Sequence, residues 1–438
     1  MVKATRPQPQ PPQSLKTVEE IAQRARQELI NQDKFLDVQE KSIAGNQQAI
    51  EKTKEEIRKV ISALDIEIDL SVEELVEKVY SMNWGLNVIE DAYHDPEVDD
   101  IQINGDENIF LIRRGVMEQM PVTLPPGTSE KLAIRLTMHD AGISIAENCR
   151  AETIREDGSR IIVVAPPVGR NFYITIRKQG NVDMSVENLE KMGTLNQKVW
   201  EALGVLVRGR CNILISGPMM AGKTSLLREL VGFCNPKNRI MVVGTRGELR
   251  LGERYPDRNI VEIEARKEKM TSLKDLFESV IFKMSAASII YEEFKGFGET
   301  IEAVRSGTKG QKGSMATTHA VSAEEAIRST AMIMLEEGIN LPLDLAMLRV
   351  AQAYDLVIQM FYDQSVGIRK LVSVTEVLKN TDKVQLRELI RWVPNDAYMG
   401  AGSWEFVQMP TDTLIEKMYE YGIERSEVER LWGITPTS

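Results

Sequence analysis

Ile213-Leu214-Ile215-Ser216 runs into Gly217-Pro218-Met219-Met220-Ala221-Gly222-Lys223-Thr224, and Ser225-Leu226-Leu227-Arg228-Glu229-Leu230 follows at once. The apolar run suits a buried strand, the last hexad suits a helix, and the segment between them fits G-x-x-x-x-G-K-[ST]. Such a loop turns successive backbone N–H groups and a helix N-terminus toward a polyphosphate. Its lysine reaches the terminal phosphate oxygens and its hydroxyl ligates Mg²⁺. Gly217, Pro218, Met219, Met220, Ala221, Gly222, Lys223, Thr224 and Ser225 are therefore read as a nucleotide site, with Lys223 as the phosphate cation and Thr224 as the metal ligand.

Outward from this loop, helix and strand alternate. Gln197–Arg208 reads as a helix, Arg239–Val243 as a strand, Ser272–Ser285 as a helix and Ser288–Tyr291 as a strand. That alternation predicts an α/β fold with a parallel, helix-covered sheet. Beyond Ala323 the pattern predicts a mostly helical part with one further strand pair, Ile368–Thr375 and Val384–Leu386.

Upstream, short alternating runs (Asp100–Asn104, Ile109–Ile112, Arg160–Val164, Phe172–Arg177) are bounded by Asn104-Gly105 and Asp157-Gly158 turns, and a helical stretch spans Ser129–Ala141. They predict an α+β domain with an antiparallel sheet. Thr17 with Glu20, and Ser71 with Glu74, have capping-box spacing, so the charged, Gln-rich segment reads as a helical extension, an exposed arm with a solvated face. The expected organisation is a disordered Pro-Gln lead over 1–14, a helical N-terminal extension over 15–90, an α+β domain over 91–180, a polar linker over 181–196 and a nucleotide domain over 197–438.

Composition narrows the function. With 438 residues, 54 Lys+Arg against 65 Asp+Glu and a net charge of −11, the chain is large enough for several cores and too acidic for nonspecific adhesion to nucleic acid. Three cysteines without C-x-x-C spacing indicate neither a disulfide framework nor a zinc site and suit a reducing cytoplasm. No apolar stretch is long enough to span a bilayer, so any membrane contact is expected to be peripheral.

A P-loop hydrolase also needs an acid at the end of a second buried strand. Ser288-Ile289-Ile290-Tyr291-Glu292-Glu293 supplies two, and successive side chains on an extended backbone point to opposite sides, so one of them should face the nucleotide.

With these residues in place, the sequence resembles the traffic ATPases of type II and type IV secretion and of type IV or tight-adherence pili, the last most of all. Gly313-Ser314-Met315-Ala316-Thr317-Thr318-His319-Ala320 resembles that family's His box, and Ile289–Gly296 its Walker B strand, with Glu293 at the acidic position. Thr245-Arg246-Gly247-Glu248-Leu249 resembles its Asp box, while Asp157-Gly158-Ser159-Arg160 and Thr175-Ile176-Arg177-Lys178 resemble its N-terminal domain. The similarity spans about residues 90–410.

The resemblance implies a RecA-like P-loop domain and a homohexameric motor that hydrolyses ATP with Mg²⁺. Glu293 and Glu248 would serve as water-activating acids, His319 as sensor of the γ-phosphate, and Arg160 and Arg177 as phosphate contacts. The partner it implies is an inner-membrane platform protein, and the location is cytoplasmic, peripheral at the inner face of the bacterial cytoplasmic membrane. His94 and His139 are expected to be ordinary surface positions. The sequence departs from the pattern at Met219-Met220, Gly244-Thr245, Gln311 and Lys295, and a side chain at Met220 is strained if the loop demands positive φ there. These departures leave a nucleotide-binding scaffold with little hydrolysis as the second reading. A DNA-translocating ATPase is the third, disfavoured by the acidity.

Overall fold

Four N-terminal helices, α1 (Val18–Ile30), α2 (Leu36–Ile43), α3 (Gln47–Ser62) and α4 (Val72–Asn83), begin where local hydrogen bonding starts them. At α1 the Glu20 N–H donates to Thr17 Oγ1 at 3.2 Å while the Glu20 carboxylate accepts from Thr17 N–H at 3.1 Å. Ser71 and Glu74 make the same reciprocal box at α4, and Asn46 Oδ1 caps α3 by accepting from Ala49 N–H. Ile21, Ala25, Leu29, Phe35, Ile57, Ile61, Val79 and Trp84 share one core between these helices. The segment read as an exposed arm is therefore a packed bundle. Helical periodicity reveals the apolar stripe of each helix, whereas its partner depends on contacts distant in sequence. The structure is a computed structural model that describes residues 15–30, 35–138, 145–178, 185–244, 249–264, 277, 281–296, 298–379, 382–395 and 399–433. The disordered lead expected over 1–14 lies outside the described residues.

The bundle is joined to an antiparallel sheet by specific bonds. Glu156 N–H donates to Ala44 O at 2.9 Å, Asn46 Nδ2 to Glu156 Oε2 at 2.7 Å, and the Arg135 guanidinium to Met82 O at 3.0 Å. The strands are β1 (Val98–Asn104), β2 (Asn108–Arg113), β3 (Val116–Gln119), β4 (Arg150–Ile154), β5 (Arg160–Val164) and β6 (Tyr173–Arg177), in the order β3-β2-β1-β6-β5-β4. One face buries Ile101, Ile103, Ile161, Val163, Ile174 and Ile176 with Leu132, Ala133 and Leu136 of the helix Thr128–Thr137. That helix is shorter than the predicted Ser129–Ala141, and residues 139–144 lie outside the described residues. Bundle and sheet form one unit ending at Val182, and a second unit begins at Asp183.

The second unit is built on a nine-stranded sheet. Its strands are β7 (Ile213–Ser216), β8 (Ile240–Gly244), β9 (Ile260–Glu264), β10 (Ser288–Tyr291), β11 (Met315–Thr318), β12 (Leu356–Asp363), β13 (Ile368–Val377), β14 (Leu386–Pro394) and β15 (Gly402–Phe406), in the order β15-β14-β13-β12-β7-β11-β10-β8-β9. From β12 to β9 the neighbours are parallel, as the alternation predicts; β13, β14 and β15 add antiparallel pairs. Every residue of β7 is buried, as a central parallel strand covered on both faces requires.

Several expectations need correction. The part after Ala323 is not mostly helical: β12 to β15 stand beside the helices Ala323–Glu336, Leu343–Ala353, Asp412–Tyr419 and Arg425–Trp432. β13 pairs with β12 and with Leu386–Pro394 rather than with a short Val384–Leu386 strand. The stretch read as a linker also carries the helix Val186–Lys191, whose Leu189 enters the core of the second unit with Leu195. Most of the helix expected over Ser272–Ser285 lies outside the described residues, and Ile281–Lys283 is a 3₁₀ turn. Among the described residues no helix is long and apolar enough to cross a membrane.

Candidate functional site

The sheet order brings the motifs together. β7, β11, β10 and β8 are successive parallel neighbours, so the residues just after each strand emerge at the same sheet edge. Those residues are the 217–224 loop, His319 and Glu292-Glu293, while residues 245–248 after β8 lie outside the described residues. Ligands of open α/β sheets bind at that edge, beyond the strands' carboxyl ends.

The loop's shape follows from close packing. Gly217 has φ +154°, and a Cβ there would lie 2.7 Å from Met360 O of β12, too close for any side chain. Gly222 turns the chain at φ +85° and is the N-cap of the helix Lys223–Leu230, leaving the first-turn N–H groups free of intrahelical partners. Met220 does adopt a left-handed backbone, φ +63°, the strain foreseen for a non-glycine residue. Its carbonyl is held by Arg369 Nε of β13, which donates at 3.0 Å, and Met219 beside it is exposed.

Lys223 is 6% exposed, and its ammonium donates to Gly217 O at 2.9 Å, to Pro218 O at 2.7 Å and to His319 Nδ1 at 3.0 Å. An ammonium has only donors, so Nδ1 accepts, and the ring's proton sits on Nε2, where it is given to Glu293 Oε1. Lys295 Nζ lies 2.7 Å from the other oxygen, Oε2. Burial lowers the Lys223 ammonium to about 8, partly opposed by the charge of Glu293. Burial pushes the Glu293 carboxyl up, but hydrogen bonds from His319 and Lys295 and the charge of Lys295 outweigh it and hold the group at about 2. The chain Lys223–His319–Glu293–Lys295 thus crosses three strand ends and keeps an anion on its acidic residue.

Glu292 points the other way, as alternation requires: its Oε1 accepts from Leu249 N–H at 3.2 Å. Ser216 Oγ and Gln359 Nε2 both donate to Ala320 O, at 3.3 and 3.1 Å, tying the turn after His319 to β7 and β12. Arg369 and Gln359 are site residues that sequence reasoning missed, because no motif surrounds them and only the order of strands puts them beside the loop. Lys295 appeared there only as a departure, yet it neutralises Glu293. Thr224 lies half-buried in the first helical turn, and Ser225 follows it. Glu248 lies outside the described residues, as does His139. His94 is exposed and pairs with Glu90 at 3.2 Å.

Arg160 and Arg177, in the first unit, are direct cross-strand partners on the sheet face opposite the core. Each already has an acid: Arg160 Nη2 lies 2.5 Å from Glu152, and Arg177 Nε 3.1 Å from Asp100.

Among the described residues no three His, Cys, Asp or Glu side chains converge as a metal cage. A single hydroxyl on the P-loop helix and one nearby carboxylate form the kind of donor set that suits Mg²⁺, which keeps its waters and takes its remaining ligands from phosphates.

The sequence model of the family described as "Type II/IV secretion system protein" matches residues 97–381, well over half of the chain, and the chain belongs to that family. An uncharacterised protein of Methanocaldococcus jannaschii is 23% identical over 353 residues, covering 77% of this chain and 61% of that protein. The type IV secretion system protein PtlH of Bordetella pertussis is 29% identical over 168 residues, 36% of this chain and 48% of PtlH. The chain thus spans about half to three-fifths of the length of these curated relatives. Among solved structures, the VirB11 ATPase of the Brucella suis type IV secretion system, in complex with sulphate, is similar with a TM-score of 0.35 and 22% identity over 64% of this chain and 93% of that one. The pilus retraction motor PilT with bound ADP is similar with a TM-score of 0.47 and 13% identity over 80% and 96%.

Proposed function

We propose that this chain is an Mg²⁺-dependent ATP hydrolase that drives a secretion or pilus machine, on the strength of the Lys223–His319–Glu293 connection across the strand ends. ATP would take Lys223 away from Gly217 O, Pro218 O and His319, so that its charge meets the β- and γ-phosphates. Thr224 would hold Mg²⁺, which supplies charge neutralisation of the phosphates when bound. Glu293, kept anionic, would orient the attacking water, with Glu248 assisting. His319, released from Lys223, would report the state of the phosphate to the acid. Arg160 and Arg177 would reach the nucleotide by exchanging Glu152 and Asp100 for phosphate oxygens.

The working assembly in this proposal is a homohexamer on an inner-membrane platform protein, at the inner face of the cytoplasmic membrane. Phosphate release and nucleotide binding test the reading together. Lys223→Ala should lose both, and Glu293→Gln should keep binding while losing at least a hundredfold in release. Wild-type turnover in Glu293→Gln would overturn it, and binding without turnover in the wild type would favour a scaffold. Light scattering with and without an ATP analogue tests the ring.

A further inference from the structure

Gly244 ends β8, and Glu292 follows the last residue of β10. Val243 and Tyr291 are register partners, so Gly244 and Glu292 are neighbours one step further along. No side chain fits at 244: a Cβ built on Gly244 would lie 1.9 Å from Glu292 Oε2, 2.2 Å from its Cδ and 2.6 Å from its Cγ. Gly244 is absent from the positive-φ glycines, so the residue is needed for space and not for an unusual backbone. Glu292 is 6% exposed, and besides filling this gap its carboxylate accepts the Leu249 N–H. Its main chain is pinned from both sides. The Glu292 N–H donates to Val243 O of β8 at 3.1 Å, and Thr317 Oγ1 of β11 donates to the Glu292 carbonyl.

One carboxylate therefore touches the chain at residue 244 and again at residue 249, the two ends of the connection that leaves β8. The adjacent residue on the same pinned backbone is Glu293. We infer that Glu292 is a positioning residue for hydrolysis: seated in the Gly244 gap, it ties Gly244 and Leu249 to the end of β10 and so fixes the backbone from which Glu293 reaches His319. This rests on Glu293 being the acid of the hydrolytic site. The role belongs to an acceptor oxygen in that place, and an amide oxygen can fill it.

Steady-state phosphate release, nucleotide affinity and melting temperature of the full chain test this in four variants and a control. Glu292→Ala should lower kcat at least tenfold while nucleotide Kd stays within threefold. Glu292→Gln, whose Oε1 still accepts from Leu249, should retain at least half of kcat. Gly244→Ala should reproduce the kcat loss by expelling the carboxylate, and Gly244→Ala/Glu292→Ala should be no worse than the poorer single variant, because both act through one contact. Multiplying losses in the double variant, wild-type kcat in Gly244→Ala, or a Glu292→Gln as slow as Glu292→Ala would overturn the inference. Lys223→Ala is the control: turnover that survives it removes the hydrolytic reading itself, whereas loss there with full activity in Glu292→Ala removes only the role of Glu292. Should Glu292→Ala not fold, the comparison of Gly244→Ala with Glu292→Gln decides.

Discussion

Lys223 donates to Nδ1 of His319 across 3.0 Å, so the P-loop cation is engaged by the residue proposed to sense phosphate. The ammonium's three donors all have protein acceptors. Binding is then an exchange of partners and not the filling of a gap. The exchange can act at a distance because the acceptor it releases is also bonded to Glu293.

His319→Ala should separate affinity from turnover. It removes a competitor for Lys223 worth roughly 1 kcal/mol, so nucleotide should bind as well as in the wild type or up to about fivefold tighter. Glu293 loses one of its two partners, and kcat should fall tenfold or more. Isothermal titration with a nonhydrolysable analogue, set beside phosphate release, measures both, and unchanged kcat would return His319 to a structural role.

The lowered Lys223 ammonium predicts proton uptake on binding. Held at about 8 by burial, it is partly neutral at pH 8 to 9, and a triphosphate beside it favours the charged form. Binding should therefore take up a fraction of a proton in that window and none near pH 6.5, where Lys223 is already charged. Calorimetry in buffers of different ionisation enthalpy reads the number directly, and Arg at position 223 should abolish the effect. For folding the sign is the reverse of a salt bridge's. Because the folded value lies below the ordinary 10.5, burying this cation costs stability below about pH 8, and the cost disappears as pH rises through the interval between the two values.

Met220 at φ +63° predicts an unusual order of tolerance. Gly at 220 removes left-handed strain of about 1 kcal/mol, which offsets its larger unfolded-state entropy, so the melting temperature should change little. Val at 220, branched at Cβ, should destabilise by about 1–2 kcal/mol. Thermal unfolding of the two variants distinguishes them, and equal losses would show that the strain is relieved elsewhere.

Arg177→Ala should cost more stability than Arg160→Ala although they are cross-strand partners. Asp100, which Arg177 bonds, has a side chain only 2% exposed, whereas Glu152 beside Arg160 is 47% exposed. Losing a charged partner of a buried carboxylate costs roughly 1–3 kcal/mol, against at most about 1 kcal/mol where the acid left behind is half exposed. If both arginines also serve phosphate, Arg→Lys at either position should lower kcat/KM with little change in melting temperature. Urea unfolding and steady-state kinetics give the two readouts.

The bundle core predicts that the N-terminal helices cannot be trimmed piecemeal. Phe35 packs edge-on against Trp84 with ring centroids 5.9 Å apart, both nearly fully buried. Phe35→Ala should cost about 3–5 kcal/mol, and removing residues 1–60 should leave the apolar face of α4 bare and the protein prone to aggregate. Circular dichroism melts and size-exclusion chromatography check both.

Much of the site was legible because its parts are local. The P-loop, the acidic strand end and the His box each lie within eight residues, and the alternation of helices with strands announced the parallel sheet. Juxtapositions were not legible: Arg369 under Met220 O and Glu292 in the Gly244 gap exist only once the strand order is known. β14 hid because Arg387, Glu388 and Arg391 interrupt its apolar residues, and their neighbours on the sheet make sense of them; Arg391 pairs with Glu405 of β15 at 3.0 Å. Two of the bundle's helices showed in their capping boxes, but nothing local says that four helices pack on one another.

The antiparallel extension also decides where this protein can be cut. Lys370 of β13 is 2% exposed, donates to Gly400 O at 3.1 Å and lies 3.8 Å from the ring centre of Trp392, with Trp404 at 5.4 Å. Its neighbour Arg369 holds the P-loop. A fragment ending after β13 would keep every recognisable motif, yet strip the aromatic walls from a buried ammonium and bare a strand edge one residue from the arm that shapes the phosphate loop. The smallest portable unit of this machine extends past its last signature, through a hairpin that carries no signature of its own.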